Sequence, residues 1–233
     1  MKINDQKVVD RMIALLRNAG VVEVEFYEKK LRDNAVNSEV LENLLSEARA
    51  ALMFQRYGFK VTMRESPDLR IEIGSEVAYA EVKHFREKEQ DRIDMRNMED
   101  SESDDLVQVG NTIPTEGCAA WEQLAQVAIN KANRGQYKEG APNLLVIETD
   151  SNSVNGVILQ TAVNIYNEKA LCFGPSSVLR RLNGFILIDL WIYPDKLEGF
   201  GTRSGNVIFH QTRCVAIPLG PRLVNALDNI LKG

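Results

Sequence analysis

Apolar residues recur at the spacing of one helix face in several long segments of the chain. The second of these segments follows Asn37 and Ser38, whose side chains are good helix N-caps, and it stops at Gly58. Residues 20–36 have no pattern clear enough to predict an element. The pattern predicts helices over residues 5–18, 38–57, 116–134 and 154–169, and a closing helix after Pro221.

Short β-type runs lie between these helices, and the clearest of them alternates Leu69, Ile71 and Ile73 with charged residues. Strands are predicted over residues 59–63, 69–73, 77–83, 143–148 and 184–192, with a strand or hairpin over 206–217. The first three strands have short links, which favour antiparallel neighbours, whereas the helix before the fourth is a crossover that lets that strand run parallel to an earlier one. The predicted class is therefore α/β, with a mixed central sheet flanked by helices.

Length and composition are those of a globular protein. The chain has 233 residues, of which 44% are hydrophobic and 26% charged, so one large domain or a core with extensions is expected. No apolar run is long enough to cross a bilayer and the N-terminus lacks a signal-peptide core, which predicts a cytoplasmic protein with no membrane partner. Three scattered cysteines argue against a disulfide scaffold or a zinc site.

The charge balance excludes a non-specific packager of nucleic acid. With 28 basic and 33 acidic residues the formal charge is −5, whereas neutralising phosphates needs an excess of basic side chains. A local nucleic-acid site that holds a divalent metal is compatible with this charge. No Gly-Lys-Ser or Gly-Lys-Thr phosphate loop occurs, so no bound nucleotide is expected. Residues 84–98 are charge-dense and residues 99–105 are acidic, which is typical of surface segments.

Candidate chemistry lies at the ends of two neighbouring predicted strands. Pro67 and Asp68 open the second strand, and Glu81-Val82-Lys83 closes the third. Alternate side chains of a strand share a face, so Glu81 and Lys83 point the same way, and the intervening turn can fold Glu81 back beside Asp68. Two close carboxylates favour a bound divalent cation such as Mg²⁺, to which the Val82 carbonyl can add a ligand. Lys83 would then help to position or deprotonate the metal-bound water.

Two further charged residues fall inside the apolar arcs of predicted helices. Glu47 lies in the arc of the first long helix, where a carboxylate is costly unless it is paired or bound to a cation. Lys131 lies in the arc of the helix before the fourth strand and can contact a phosphate or the Glu81 region, a role that Gln136 can share. The alternatives are an edge position from which Glu47 reaches water, and a Lys131 that complements the helix dipole.

With this pattern the chain resembles the PD-(D/E)xK nuclease superfamily, which has a restriction-endonuclease-like fold. The similar stretch covers residues 38–150 and has the family's order of helix, three-stranded meander, helix and strand. The resemblance leaves an N-terminal helical extension, residues 1–37, and a C-terminal α/β extension, residues 151–233, which is expected to pack on the same sheet.

The resemblance implies a role for each candidate residue. Asp68 and Glu81 match the metal-binding acids of the family, and Glu47 matches the acid often found on its first helix. Lys83 matches the catalytic lysine. Lys131, or Gln136 in its place, matches the polar residue of the second helix.

The implied activity is that of a Mg²⁺-dependent nuclease, with Mn²⁺ as a substitute, acting on nucleic acid, with DNA favoured and RNA left open. A homodimer is expected if both strands are cut, because this often needs two sites. A catalytically silent nucleic-acid-binding or assembly subunit on the same fold is the alternative, since some members of the family have lost activity. A third reading is an unrelated α/β protein in which the acid and the lysine, Glu81 and Lys83, form a surface ion pair.

Overall fold

Helices and strands follow one another through the described part of the chain. The computed structural model describes residues 3–86, 119–149, 154–189 and 207–230. Its helices are α1 (Ile3–Asn18), α2 (Val24–Asp33), α3 (Ser38–Arg56), α4 (Ala120–Asn133), α5 (Gly156–Cys172) and α6 (Pro221–Ile230). Its strands are β1 (Lys60–Met63), β2 (Leu69–Ile73), β3 (Glu76–Phe85), β4 (Asn143–Thr149), β5 (Leu182–Asp189) and β6 (Val207–Gln211). A short 3₁₀ helix, Val178–Arg181, leads into β5.

The strands form one six-stranded sheet in the order β1 to β6. β1, β2 and β3 are antiparallel, β3, β4 and β5 are parallel, and β6 returns antiparallel to β5. The two parallel pairings need crossover connections, to which α4 and α5 belong. The sheet confirms the predicted α/β class, the antiparallel meander and the parallel strand after the crossover helix.

Two apolar cores cover the two faces of the sheet. The first contains side chains of α1, α2, α3 and α6 together with Leu144 and Val146 of β4. The second contains side chains of α4 and α5 together with Leu145 and Ile147. Because β4 is buried on both faces, its sequence is a continuous apolar run rather than an alternating one. None of the described helices is long and apolar enough to cross a membrane.

The ends of α3 follow the local signals in the sequence. The Asn37 side chain accepts a hydrogen bond from the Val40 backbone N–H at 3.2 Å, which satisfies a donor of the first helical turn. Gly58 has a φ of 84°, a left-handed conformation that favours glycine just past a helix end. The predicted helix that begins at Ser38 is therefore confirmed at both ends.

Two segments differ from the predicted elements. α2 lies within residues 20–36, where the sequence pattern predicts none. The predicted strand or hairpin over residues 206–217 is wrong beyond Gln211, because the Arg213 backbone N–H donates to the Asn167 side chain of α5 at 2.9 Å instead of joining the sheet. The charged segments after residue 86, the start of the helix predicted from 116 and the end of the strand predicted to 192 lie outside the described residues.

Candidate functional site

The start of β2 brings Asp68 beside the end of β3. The pairing of the two strands places Leu69 opposite Ala80. Asp68 precedes Leu69 and therefore lies across from Glu81. The Val82 backbone N–H donates to the Asp68 carboxylate at 2.8 Å, which holds the two segments together beyond their last paired residues. Asp68 and Glu81 are buried, with exposures of 7% and 3%, so the meander brings together the two predicted metal ligands.

α3 contributes a third carboxylate, Glu47, which is 8% exposed. Lys30 of α2 donates to Glu47 at 3.1 Å. Burial raises the pKa of Glu47 to about 8, with a further increase from the charges of Asp68 and Glu81 and an opposing effect of Lys30. The three carboxylates thus share one electrostatic environment. We call Glu47, Asp68 and Glu81 the acid cluster.

The other two members of the acid cluster are also easier to protonate than in water. Burial raises the pKa of Glu81 to about 7, the charge of Asp68 adds to the rise, and Lys131 opposes it. Burial likewise raises the pKa of Asp68, against the hydrogen bond from the Val82 backbone. A buried group of like charges is stabilised either by protons or by a bound cation. The acid cluster therefore has the electrostatics of a cation site near neutral pH.

The two carboxylate oxygens of Glu81 have different surroundings. Oε1 accepts hydrogen bonds from the Lys131 ammonium and from the Gln136 amide, the latter at 3.1 Å. Oε2 is buried and has no hydrogen-bond partner among the described residues. A buried acceptor without a donor is costly unless something else coordinates it. Oε2 is therefore well suited to bind a hard cation.

Val82 is positioned to add a carbonyl oxygen. In a β-strand the N–H and the C=O of one residue point to the same edge. Because the Val82 N–H donates to Asp68, the Val82 carbonyl lies on the edge of β3 that faces this carboxylate. Carboxylate and carbonyl oxygens are the protein ligands that Mg²⁺ prefers. Asp68, Glu81 and Val82 are therefore candidate oxygen ligands for a divalent cation, with Glu47 as a further acid.

Lys83 lies two residues beyond Glu81 and projects from the same face of β3. It is half-buried, and burial lowers its pKa, with further lowering by the charges of Lys131 and Arg86. A lysine of lowered pKa exchanges a proton more readily near neutral pH. The predicted catalytic amine is therefore next to the acid cluster along the strand.

A second group of potential ligands lies where α3 packs on β3 and β4. Within the described ranges, Glu42, His84 and Glu148 each bring a possible ligand atom to within 4.8 Å of the others. The carboxylates of the acid cluster are less closely gathered. Arg49 belongs to the same group, because its Nε donates to Glu148 at 2.7 Å and its Nη2 donates to Glu42 at 2.8 Å.

In this second group the positive charge comes from the Arg49 side chain, so a metal ion is not needed to supply it. Arg49 and Glu148 are 1% and 0% exposed. Although burial raises the pKa of Glu148, the charge and hydrogen bonds of Arg49 lower it to about 2. A metal ion here would be repelled by a guanidinium that already neutralises the carboxylates. We therefore assign this group a structural role, which is to join α3 to β4.

Some of these residues carry sequence signals that point to their roles. Arg49 lies four residues after Leu45 and four before Met53, both buried, so it falls inside the apolar arc of α3. Glu148 interrupts the apolar run of β4, and a buried arginine and a buried glutamate in one chain predict a pair. Lys30 lies in the segment without a predicted element, so the sequence pattern carries no comparable signal for its contact with the acid cluster.

Comparison with known proteins finds no relative of this chain. No protein-family model matches the chain, and no curated protein and no solved structure is significantly similar to it. The resemblance to PD-(D/E)xK nucleases therefore stays a prediction from the sequence, and the chemistry of the acid cluster is the basis for a functional proposal.

Proposed function

We propose that the protein is a metal-dependent nuclease that hydrolyses phosphodiester bonds of nucleic acid, with DNA as the expected substrate and Mg²⁺ or Mn²⁺ as the metal. The observation that carries this proposal is the buried Glu81 Oε2, an acceptor without a partner among the described residues, inside a group of mutually repelling carboxylates. A half-buried lysine next to such a group supplies the second element that attack of water on a phosphodiester needs.

The acid cluster would hold the metal. Asp68 and Glu81 would bind through their carboxylates and Val82 through its carbonyl, while Glu47 would add negative charge or a further ligand. When bound, the metal supplies a Lewis acid for a phosphate oxygen and lowers the pKa of a coordinated water. The buried setting of Asp68 and Glu81 strengthens every charge interaction at this point.

The lysines would have separate tasks. Lys83 would orient the attacking water, accept its proton or stabilise the negative charge that develops on the phosphate. Lys131 and Gln136 both bind Glu81 Oε1 and would fix the orientation of this carboxylate while leaving Oε2 to the metal.

The order of elements supports the resemblance from which the proposal started. The run α3, β1, β2, β3, α4, β4 is the order of helix, three-stranded meander, helix and strand expected for a restriction-endonuclease-like core. The antiparallel meander followed by a parallel strand agrees with the same expectation. We propose this finer fold assignment together with the function.

One observation favours a catalytically silent nucleic-acid-binding or assembly subunit. Lys131 contacts Glu81, and Lys30 contacts Glu47 at 3.1 Å, so two cations of the protein already offset part of the charge of the acid cluster. In such a subunit the acids would be retained as members of internal ion pairs, and binding of a partner would not require a metal.

Cleavage assays with isosteric variants test the proposal. The protein is incubated with single-stranded DNA, double-stranded DNA and RNA in the presence of Mg²⁺ or Mn²⁺. The wild type is expected to cleave, whereas Asp68→Asn and Glu81→Gln lose cleavage and Mn²⁺ binding, because each removes a charged ligand. Glu168→Gln, which changes an exposed carboxylate of α5, is the matched control and is expected to behave like the wild type.

Three results would argue against the proposal. Cleavage that survives in both Asp68→Asn and Glu81→Gln would place the activity elsewhere or in a contaminant. Nucleic-acid binding that is unaffected by chelator, with no cleavage of any substrate, would favour the silent subunit. Neither metal binding nor nucleic-acid binding would leave the acids with a structural role only.

A further inference from the structure

A pocket of about 230 Å³ lies at the end of β3, where it is lined by Lys83, two residues beyond Glu81 of the acid cluster. α3 contributes Glu39 and Asn43 to its wall, α4 contributes Gln123, and Lys83 and Arg86 come from the end of β3 and the residue after it. The pocket thus lies at the carboxyl end of β3, which pairs in parallel with β4. Ligands of α/β sheets bind preferentially beyond the carboxyl ends of such strands.

Two elements, α3 and β3, each carry a residue that lines the pocket and, a few positions away, a residue of the acid cluster. On α3, Asn43 precedes Glu47 by four residues, which is about one helical turn or roughly 6 Å. On β3, Lys83 follows Glu81 by two residues on the same face, a separation of roughly 6.6 Å. A nucleic-acid strand with one phosphate at the acid cluster can therefore bring its neighbouring phosphate to the pocket.

The lining has the chemistry of an anion site. Lys83 and Arg86 supply positive charge, and Asn43 supplies an amide group that can donate a hydrogen bond. Glu39 also lines the pocket, but its side chain is 76% exposed and its carboxylate is 3.9 Å from the Arg86 guanidinium. The Arg86 guanidinium also donates to the Glu39 backbone carbonyl, at 3.4 Å. Both contacts are long and lie at the surface, where water weakens them, so Arg86 can exchange them for a stronger anion.

We propose that this pocket binds the phosphate group next to the scissile one in a nucleic-acid substrate. The identity of the substrate rests on the proposed nuclease function, whereas the affinity of the pocket for phosphate does not depend on a metal. Arg86 is the main phosphate ligand, because a guanidinium can donate to two phosphate oxygens at once and an ammonium cannot. Asn43 binds a further oxygen, while Lys83, between the pocket and the acid cluster, serves the reacting phosphate.

Binding of deoxythymidine bisphosphate with the metal chelated tests the pocket directly. By calorimetric titration in EDTA, the wild type is expected to bind this probe and to bind thymidine far less. Arg86→Ala is expected to weaken binding of the bisphosphate by about a hundredfold, the loss that corresponds to two charge-assisted hydrogen bonds. Asn43→Ala is expected to weaken it by about tenfold, as for one hydrogen bond to a charged acceptor.

The matched control is Arg213→Ala, which removes an exposed arginine just beyond β6, at the opposite side of the sheet from β1. It is expected to bind the bisphosphate as the wild type does. The Arg86 side chain is 33% exposed, so its loss leaves no buried cavity, and an unchanged unfolding midpoint checks that Arg86→Ala is folded.

Cleavage of a short oligonucleotide separates the pocket from the catalytic site. Arg86→Ala is expected to raise KM more than it lowers kcat, because the pocket holds substrate and transition state alike. Asp68→Asn is expected to abolish cleavage while it keeps or strengthens binding of the bisphosphate, since it removes a nearby negative charge.

The possible outcomes are distinguishable. The pocket proposal is overturned if the wild type does not bind the bisphosphate, or if Arg86→Ala and Asn43→Ala bind it as tightly as the wild type. If Asp68→Asn still cleaves and Arg86→Ala loses bisphosphate binding, the proposed catalytic site fails and the phosphate pocket is supported.

Discussion

The two carboxylate oxygens of Glu81 differ in their hydrogen bonding. Lys131 and Gln136 both donate to Oε1, while Oε2 is buried with no hydrogen-bond partner within the described ranges. The donors orient the carboxylate, and the second oxygen keeps its coordination capacity. At this scale the electrostatics of the acid cluster lead to a prediction about pH.

The metal-free protein is expected to become less stable as the pH rises from about 4.5 to about 8. Folding raises the pKa of Glu81 from 4.5 to about 7 and that of Glu47 from 4.5 to about 8. Between these values the folded state holds more protons than the unfolded state, so the free energy of unfolding falls with rising pH. Thermal unfolding in EDTA across this range should show a falling midpoint.

The double variant Glu47→Gln/Glu81→Gln is the control for this pH dependence. Its midpoint should change less over the same range, because two of the three carboxylates with a raised pKa are gone and only Asp68 remains. Mn²⁺ added near pH 8 should raise the midpoint of the wild type by mass action and leave the double variant unchanged. An equally steep fall in both proteins would show that other groups cause it.

The sequence predicted the residues of this site better than their contacts. Alternation along β3 was enough to place Glu81 and Lys83 on one face, and the helical wheel of α3 was enough to place Glu47 inward. The position of Lys131 on α4 decides which oxygen of Glu81 has a donor, and Lys131 is 50 positions away along the chain. No local pattern contains that information.

α3 is the element that connects the two charged groups of the protein. Glu47 of this helix belongs to the acid cluster, while Ser46 and Arg49 donate to Glu148 of β4 and Arg49 also donates to Glu42. The second set is buried and internally paired, so its main effect is on how α3 packs against the sheet. The position of Glu47 follows from that packing.

Glu148→Gln is expected to lower the free energy of unfolding by about 3–5 kcal/mol, because it leaves the buried Arg49 charge without its main partner. Glu139→Gln is the control, since the Glu139 side chain is 82% exposed and pairs with Arg181 at 3.1 Å. The control should cost less than about 1 kcal/mol. Urea unfolding in EDTA measures both changes.

A different result for Glu148→Gln would revise the assignment of this group. If stability in EDTA barely changed, and stabilisation by added metal disappeared, then Glu42, His84 and Glu148 would form a metal centre.

The pKa of Glu148, about 2, keeps the Arg49–Glu148 ion pair charged at neutral pH. Its contribution to the free energy of unfolding is lost only as the pH falls from about 4.5 through about 2.

Elements were predicted where their signals are local. The N-cap of α3 and the glycine after it lie within the helix's own sequence, and both are confirmed. α2 was missed although Val24, Tyr27 and Leu31 are buried on one side of it, because it is only 10 residues long and has no side-chain N-cap. Packing against neighbouring elements stabilises such a short helix.

The whole molecule is organised around one continuous sheet. β5 and β6 follow residue 150, yet they extend the same sheet that β1 to β4 begin. The two apolar cores share β4, whose side chains alternate between them. A shared central strand couples the stability of both faces.

The described parts of the chain are therefore expected to unfold in a single transition. Leu144 and Leu145 are neighbours on β4, both 0% exposed, and they face the first and the second core respectively. Leu144→Ala and Leu145→Ala should each lower the free energy of unfolding by about 2–5 kcal/mol. Denaturation followed by near- and far-ultraviolet circular dichroism should give coincident curves for both variants.

Separate unfolding of the two faces would give a different pattern. In one of the two variants the near- and far-ultraviolet curves would then no longer coincide, because the transition seen in one spectral range would shift while the other stayed unchanged. That result would divide the chain into independently stable units, as the boundaries near residues 37 and 150 suggest. Coincident curves would mean that the extensions and the central segment fold as one unit.

The sequence by itself determined the α/β class, the antiparallel meander, the parallel strand that follows the crossover helix, and the set of acids and lysines that could carry chemistry. These follow from periodicity and turn residues, which act over a few positions of the chain. Tertiary structure decided which of those charges are paired. It joined Ser46 to Glu148 across 102 positions and Lys30 to Glu47 across 17, and it left one oxygen of Glu81 without a donor among the described residues. Such pairings depend on how helices pack on the sheet, and packing is set by the whole chain rather than by any segment of it.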